Sequence, residues 1–328
     1  MGRYPLNSSI QTLPHIQLGI EAVEQRMLSQ ADDYHGDLKS ALSLLLGSGG
    51  KRIRPRIILL LGKILQGDED VLITLASAIE LLHTATLVHD DLIDGALLRR
   101  GIPTLNAKWS TAATVLTGDF IFASAAFLAA KTRSIEVMSI FSKTLMTIVN
   151  GEVNQLFSSR CNTSKEDYYQ RIYAKTASLF ETSTHTTAIV SQISPSKVET
   201  IRRFGYELGM AFQIVDDVLD YTGDQSVVGK PVGGDLRQGL ITLPMLYYIQ
   251  SNPDHDGIKE LLSDNCVKNE ETIDNLITAI AHSNAIDQSL EEAEQFSNRA
   301  LDLISDLPDS AEKEELIELT KSSVMRKK

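Results

Sequence analysis

Asp90, Asp91 and Asp94 lie in LVHDDLIDG, and Asp216, Asp217 and Asp220 lie in QIVDDVLDY, so one pattern, Asp-Asp-x-x-Asp, occurs twice in distant parts of the chain. On a helix, positions i and i+4 share a face. Like charges clustered beside apolar sequence repel one another and resist desolvation, so each cluster needs cations nearby to be tolerable. Oxygen-only carboxylate sets suit magnesium, whose shell is commonly completed by water and by phosphate oxygens of a substrate. The two motifs therefore point to a metal-dependent diphosphate site.

The elements that must hold these residues read as helices. Strand-like alternation is nearly absent, and only nine prolines and twenty glycines interrupt 328 residues. Apolar periodicity predicts helices over about 16–29 and 38–46, followed by a turn at GSGGKRIRP with Pro55 in the first turn of the next helix. A helix from Val71 to Asp94 stops at Gly95, which puts the first cluster near a helix C-terminus. The dipole disfavours negative charge there, which strengthens the metal reading. The loop ALLRRGIPT leads to helices over about 109–131 and 133–158, and Thr163 and Glu166 have the spacing of a capping box. Ser194-Pro195 opens a helix running through Gly209 to Asp220, so the second cluster also falls in the last turns. A helix near Leu243–Gln250 and several amphipathic segments fill the acidic C-terminal third. No Pro/Ser-rich linker and no repeat with a period of roughly 20–50 residues divides the chain. A single all-helical domain, residues 1–328, is expected.

Composition narrows the function. A hydrophobic content of 43% is enough for a core, and a net charge of −12 argues against nucleic acid as a partner. Cys161 and Cys266 have no CxxC or His spacing, so reduced thiols and a cytoplasmic location are expected. The N-terminal MGRYPLNSSIQ lacks an apolar signal core, and the longest apolar run, Phe120 to Ala130, is too short for a transmembrane segment. Arg326, Lys327 and Lys328 read as a frayed basic tail rather than a phosphate clamp.

The ordered set GGKRIRP, LLHTATLVHDDLIDGALLRRG, AKTASLF, FQIVDDVLDY and GKPVGGD resembles the trans-isoprenyl diphosphate synthases, the polyprenyl synthase family, strongly over about 45–250 and more weakly at the ends. The resemblance implies an all-α fold, a large helical bundle around a central hydrophobic cavity. It also implies a magnesium-dependent condensation of isopentenyl diphosphate with an allylic prenyl diphosphate, with about three Mg2+ per active site. Asp90, Asp94 and Asp216 would hold the metal, with Asp91, Asp217 and Asp220 as further ligands or as groups behind them. Arg99, Lys175 and Lys230 match positions near the allylic diphosphate, with Thr176 and Gln213 beside it. Lys51, Arg54 and Arg100 match the metal-free isopentenyl diphosphate site, as does His83, seven residues before Asp90 and near the same helix face. Arginine forks suit phosphate there, so Lys would not replace them without loss. Plainer readings compete: solvated charges for the lysines and arginines, a satisfied core group for His83, and helix–helix hydrogen bonds for Thr176 and Gln213. One position departs from the family pattern, with Leu240 in DLRQGL where many members carry Lys. No side chain is an obvious base for the final proton loss, and by resemblance released pyrophosphate takes it.

Product length is also addressed by the first motif. Ala85 and Thr86 precede Asp90 by five and four residues, which puts Ala85 about 7.5 Å below it along the helix. An aromatic at either position would block a growing tail, as in members that stop at farnesyl diphosphate, so Ala and Thr predict a long-chain product, with geranylgeranyl diphosphate as the rival. Ala123, Ser124, Ala125 and Ala126 would widen the path, and Phe122, Phe127, Met138 or Met146 would floor it, unless they simply pack. The family is expected to be homodimeric, with transient membrane contact on release of a greasy product. A noncatalytic prenyl-diphosphate-binding subunit is disfavoured because both aspartate motifs are complete, and a terpene cyclase because both basic elements are present. A di-iron bundle would need Glu-x-x-His ligands, which are absent.

Overall fold

The computed structural model describes residues 12–325 apart from 48, 100, 158–160, 162, 224–231 and 264–268. Helices α1 (Pro14–Leu28), α2 (Gly36–Gly47) and α3 (Ile53–Ile64) lead to α4 (Glu69–Ile93). A minimal antiparallel ladder follows, β1 (Leu98–Arg99) on β2 (Ile102–Pro103), then α5 (Leu105–Lys108), α6 (Thr111–Lys131), α7 (Ile135–Phe157) and α8 (Lys165–Ile172). A π-helical turn, Tyr173–Ala177, joins α8 to α9 (Ser178–Val190). The long α10 (Pro195–Thr222) precedes α11 (Gly234–Arg237), α12 (Leu243–Ser251), α13 (Asp256–Ser263), α14 (Glu270–Ala281), α15 (Asn284–Leu303) and α16 (Ala311–Val324). The protein is all-α, as the sequence predicts.

These elements pack as two compact units. The first draws on residues 1–143, 182–202 and 304–319, and the second on 144–181, 203–303 and 320–328. In the first, α4 packs against α6, α3 and α1. Leu75, Ile79 and Leu82 of α4, Ile121, Ala125 and Leu128 of α6, and Ile57, Leu60 and Leu61 of α3 are essentially inaccessible to solvent. Burying each large aliphatic side chain contributes roughly 1.5–3 kcal/mol before entropy is counted. Helix α4 is well specified locally: the Asp68 side chain accepts from the Val71 amide at 3.0 Å, and Glu69 and Asp70 complement the dipole in the first turn. In the second unit, one apolar cluster gathers Tyr221, Leu236, Met245, Leu276 and Ile280, and another gathers Tyr168, Met210, Ile214, Leu243 and Phe296.

Several sequence expectations are corrected. The cap of α8 is Ser164, whose hydroxyl accepts from the Asp167 amide at 3.2 Å, one residue later than the Thr163–Glu166 box. The loop ALLRRGIPT is a tight hairpin turning at Gly101, whose φ of +75° suits glycine. Cys161 is disulfide-bonded rather than reduced; Cys266 lies outside the described residues. By length and composition α4 and α6 could each cross a bilayer, which the search for one unbroken apolar run missed. In α4, however, 78% of the apolar window is buried within the protein, as in a core helix.

Candidate active site

The first acidic motif occupies the end of α4. Gly95, at φ +64°, donates its amide to the Leu92 carbonyl, and Ala96 donates to the Asp91 carbonyl at 2.8 Å. This paired closure is a Schellman motif, and it makes Asp94 the C-cap of α4. Asp91 is buried, and the β1–β2 hairpin folds Arg99 back onto it. Arg99 Nε lies 2.9 and 3.0 Å from the two Asp91 oxygens, and Nη2 lies 2.8 Å from Oδ1. Asp90 is half-buried and Asp94 exposed, one turn apart on the same face.

The basic loop before α3 divides in a similar way. Arg52, in a left-handed conformation at φ 46°, reaches Glu24 at 2.7 Å, Glu80 at 3.4 Å and the Leu46 carbonyl at 2.9 Å. Arg56 Nε donates to the buried Glu315 at 2.5 Å. These two arginines, which the motif reading passed over, fasten the loop. Exposed Lys51 precedes Arg52, and half-buried Arg54 lies between the two arginines. His83 is half-buried, and its carbonyl accepts from the Thr86 hydroxyl at 2.8 Å. Ala85 is fully buried whereas Thr86 is partly exposed. The helix explains this: Thr86 lies about 40° from Asp90 around the axis, Ala85 about 140°. On α6, Ser124 and Ala125 are buried, Ala126 is half-buried and Ala123 exposed; Phe122 and Met138 are half-buried. Phe127 and Met146 are 56% and 71% exposed, which places both on the surface rather than at the floor of a tunnel.

The second motif lies in the last turns of α10, within the second unit. Its middle residue, Asp217, is 3% exposed; Tyr168 donates to Oδ2 at 2.7 Å and Gln213 Nε2 to Oδ1 at 2.8 Å. The Thr176 hydroxyl in turn donates to Gln213 Oε1 at 2.6 Å. Burial, helped by the charge of Asp235, pushes the Asp217 carboxyl up to about 8 against the pull of these donors. Burial, with Asp217 alongside, also pushes the Tyr168 hydroxyl well up, so it remains a donor. Asp220 accepts the Gly234 and Asp235 amides at 3.1 Å each. Asp216 is half-buried.

Lys175 and Thr176 sit in the π-turn, a feature that recurs at functional sites in helices. Two glycines clamp that turn: a Cβ on Gly151 of α7 would stand 2.6 Å from Ala174 Cβ, and one on Gly209 of α10 would stand 2.6 Å from Ala177 Cα. Thr176 is buried, while the Lys175 side chain is 44% exposed and 3.8 Å from Glu152. Arg100 and Lys230 lie outside the described residues. Sequence reasoning missed Tyr168, Glu152, Arg52 and Arg56; the mid-helix glycines were the one available signal of close approach.

Among the described residues, no three acidic, His or Cys groups converge into a metal cage. Asp90 and Asp94 share one helix face of the first unit, and Asp216 is half-buried in the second; each offers the carboxylate oxygens that hard divalent cations take.

The polyprenyl synthetase family model matches residues 35–280, and the chain belongs to that family. It is 35% identical to the octaprenyl diphosphate synthase of Haemophilus influenzae, over 94% of each chain. It is 36% identical to heptaprenyl diphosphate synthase component 2 of Geobacillus stearothermophilus, over 88% of this chain and 90% of that one. A polyprenyl synthase from Caulobacter crescentus, crystallised with calcium and isoprenyl diphosphate, superposes with a TM-score of 0.87 at 32% identity, covering 95% of this chain and 96% of its own.

Proposed function

We propose that the chain, acting as one isoprenoid synthase domain, condenses isopentenyl diphosphate head-to-tail with an allylic prenyl diphosphate to give a long-chain all-trans polyprenyl diphosphate. The observation that carries the site assignment is the division within each motif. Asp91 and Asp217 are buried against Arg99 and Tyr168, whereas Asp90, Asp94 and Asp216 are more exposed, and these three are the carboxylates assigned to the metal. Bound Mg2+ would supply Lewis-acid stabilisation of the departing diphosphate. Lys175 and Lys230, with Arg99 on its carboxylate, add fixed positive charge where negative charge develops. Lys51, Arg54, Arg100 and His83 hold the diphosphate of isopentenyl diphosphate without metal. The allylic carbon–oxygen bond breaks, the isopentenyl double bond forms the new carbon–carbon bond, and the released diphosphate takes the proton.

The product is set along α4. Thr86 shares the Asp90 face, so Thr86→Phe should shorten the product more than Ala85→Phe, which must displace packed neighbours. A product ladder unchanged in Thr86→Phe would remove α4 from length control. The chain is cytoplasmic and homodimeric in this reading. Met146, Val149, Val153 and Leu156 form an exposed apolar stripe on α7 at three- and four-residue spacing, of the kind a second helix covers. The relative named as component 2 favours a second reading, in which a different subunit covers that stripe.

The test is incubation of the purified chain with labelled isopentenyl diphosphate, a series of allylic starters and Mg2+, with product lengths resolved. Elongation that chelator abolishes is expected. No elongation with any starter would overturn the catalytic reading for the chain alone, and elongation restored only by a partner subunit would select the second.

A further inference from the structure

Four cations, Lys51, Arg52, Arg54 and Arg56, crowd into the short basic segment at the start of α3. Side by side they repel one another, so the segment keeps one shape only where carboxylates face some of them. Arg52 meets Glu24 and Glu80. Arg56 meets a residue from the far end of the chain, Glu315 of α16, which is 4% exposed. Glu315 Oε1 accepts from Arg56 Nε at 2.5 Å, and Oε2 accepts the Leu13 amide at 2.9 Å. One turn earlier on α16, Glu312 lies 3.0 Å from His15. Helix α16 thus gathers the start of α1 and the start of α3, all within the first unit.

The backbone just before Arg56 depends on this anchor. Arg52 sits at φ 46° and ψ 38°, the left-handed region, where a bulky residue stays only if its surroundings enforce it. Its carbonyl accepts from the Arg56 amide at 3.0 Å, the bond that closes the first turn of α3. Arg54 and Arg56 are two positions apart on that turn, about 200° around the axis, so Glu315 grips the side opposite Arg54. The grip is a charge-assisted bond to a buried acceptor, the stronger kind.

Taking Lys51 and Arg54 as the isopentenyl diphosphate ligands of the proposed function, we propose that Glu315 is a positioning residue for that site. Acting through Arg56, it sets the strained turn that presents both cations to the diphosphate.

The test reads isopentenyl diphosphate binding apart from turnover. Calorimetry is done on the intact chain with Mg2+ and an unreactive thiolodiphosphate analogue of the allylic substrate filling the first site. Glu315→Gln and Arg56→Met, checked for folding by circular dichroism, should each bind isopentenyl diphosphate about tenfold more weakly. The double variant should be no weaker than the weaker single, because both act through one bond. In turnover, KM for isopentenyl diphosphate should rise by a similar factor while KM for the allylic starter stays within about twofold. Lys313→Met is the control for loosening α16 itself, since Lys313 Nζ donates to the Ser305 and Leu307 carbonyls in the preceding turn; it should leave both values within about twofold. Parental affinity in both folded single variants, an equal rise in both KM values, or equal weakening in Lys313→Met would overturn the proposal. Parental affinity in a folded Arg54→Met variant would instead remove the basic loop from the isopentenyl diphosphate site, and the proposal with it.

Discussion

The two Asp-Asp-x-x-Asp ends solve the same electrostatic problem by different means. On α4 the buried middle carboxylate, Asp91, is held by a guanidinium fork from Arg99. On α10 its counterpart, Asp217, is held by the neutral hydroxyl of Tyr168 and the amide of Gln213. The neutral donors offset the burial of Asp217 only in part, and its carboxyl is pushed up to about 8. At neutral pH the second motif therefore presents less negative charge before any metal arrives. The lesson is that equal sequence patterns can be held by unequal chemistry.

The largest expected effect separates ligands from supports. Asp90→Ala and Asp216→Ala should each lower kcat by about a hundredfold to a thousandfold, the scale of losing a group that stabilises developing charge. Asp217→Asn, which keeps shape and hydrogen-bonding capacity, should stay within about tenfold of the parent rate. A similar loss in all three, measured under saturating Mg2+, would erase the distinction. Next come the supports. Arg99→Ala should cost about 1.5–3 kcal/mol in denaturant unfolding because the lost bonds come from a charged donor, and Tyr168→Phe about 1 kcal/mol. The reverse order would contradict the stronger support assigned to Asp91.

The smallest effect is a pH slope in the metal-free chain. An unfolded Asp titrates near its usual value, about 3.9, whereas folded Asp217 holds its proton to about 8. Folding takes up a proton between these limits, so this group's stabilisation is complete below the lower value and is lost as pH rises through the upper one. Urea midpoints should fall with rising pH across that window, and the fall should flatten in Asp217→Asn. An unaltered slope would assign the dependence elsewhere.

Much of this was legible in the residues. Gly95 announced the end of α4, and Ser194-Pro195 the start of α10, because caps and stops are local chemistry. The all-α class followed from periodicity. The π-turn was not legible, since YAKTA has ordinary helical composition and the close approach of Gly151 and Gly209 to it is a contact between segments remote in sequence. Tyr168 carried no signal either, as its partner is remote in sequence and only the packing of α8 on α10 brings them together. The disulfide at Cys161 was misjudged for the same reason: spacing reports metal motifs and says nothing about long-range proximity.

The π-turn also sets a phase. An α-helix advances about 100° per residue, and the extra residue taken up between α8 and α9 offsets one helix from the other by that amount. Deleting one residue from 173–177 would leave a continuous helix of unremarkable sequence. Yet Tyr168 on Asp217 and Phe180, whose ring lies 5.1 Å from Phe212, could no longer both keep their places. The second acidic motif is thus tuned by the number of residues before it as well as by their identity.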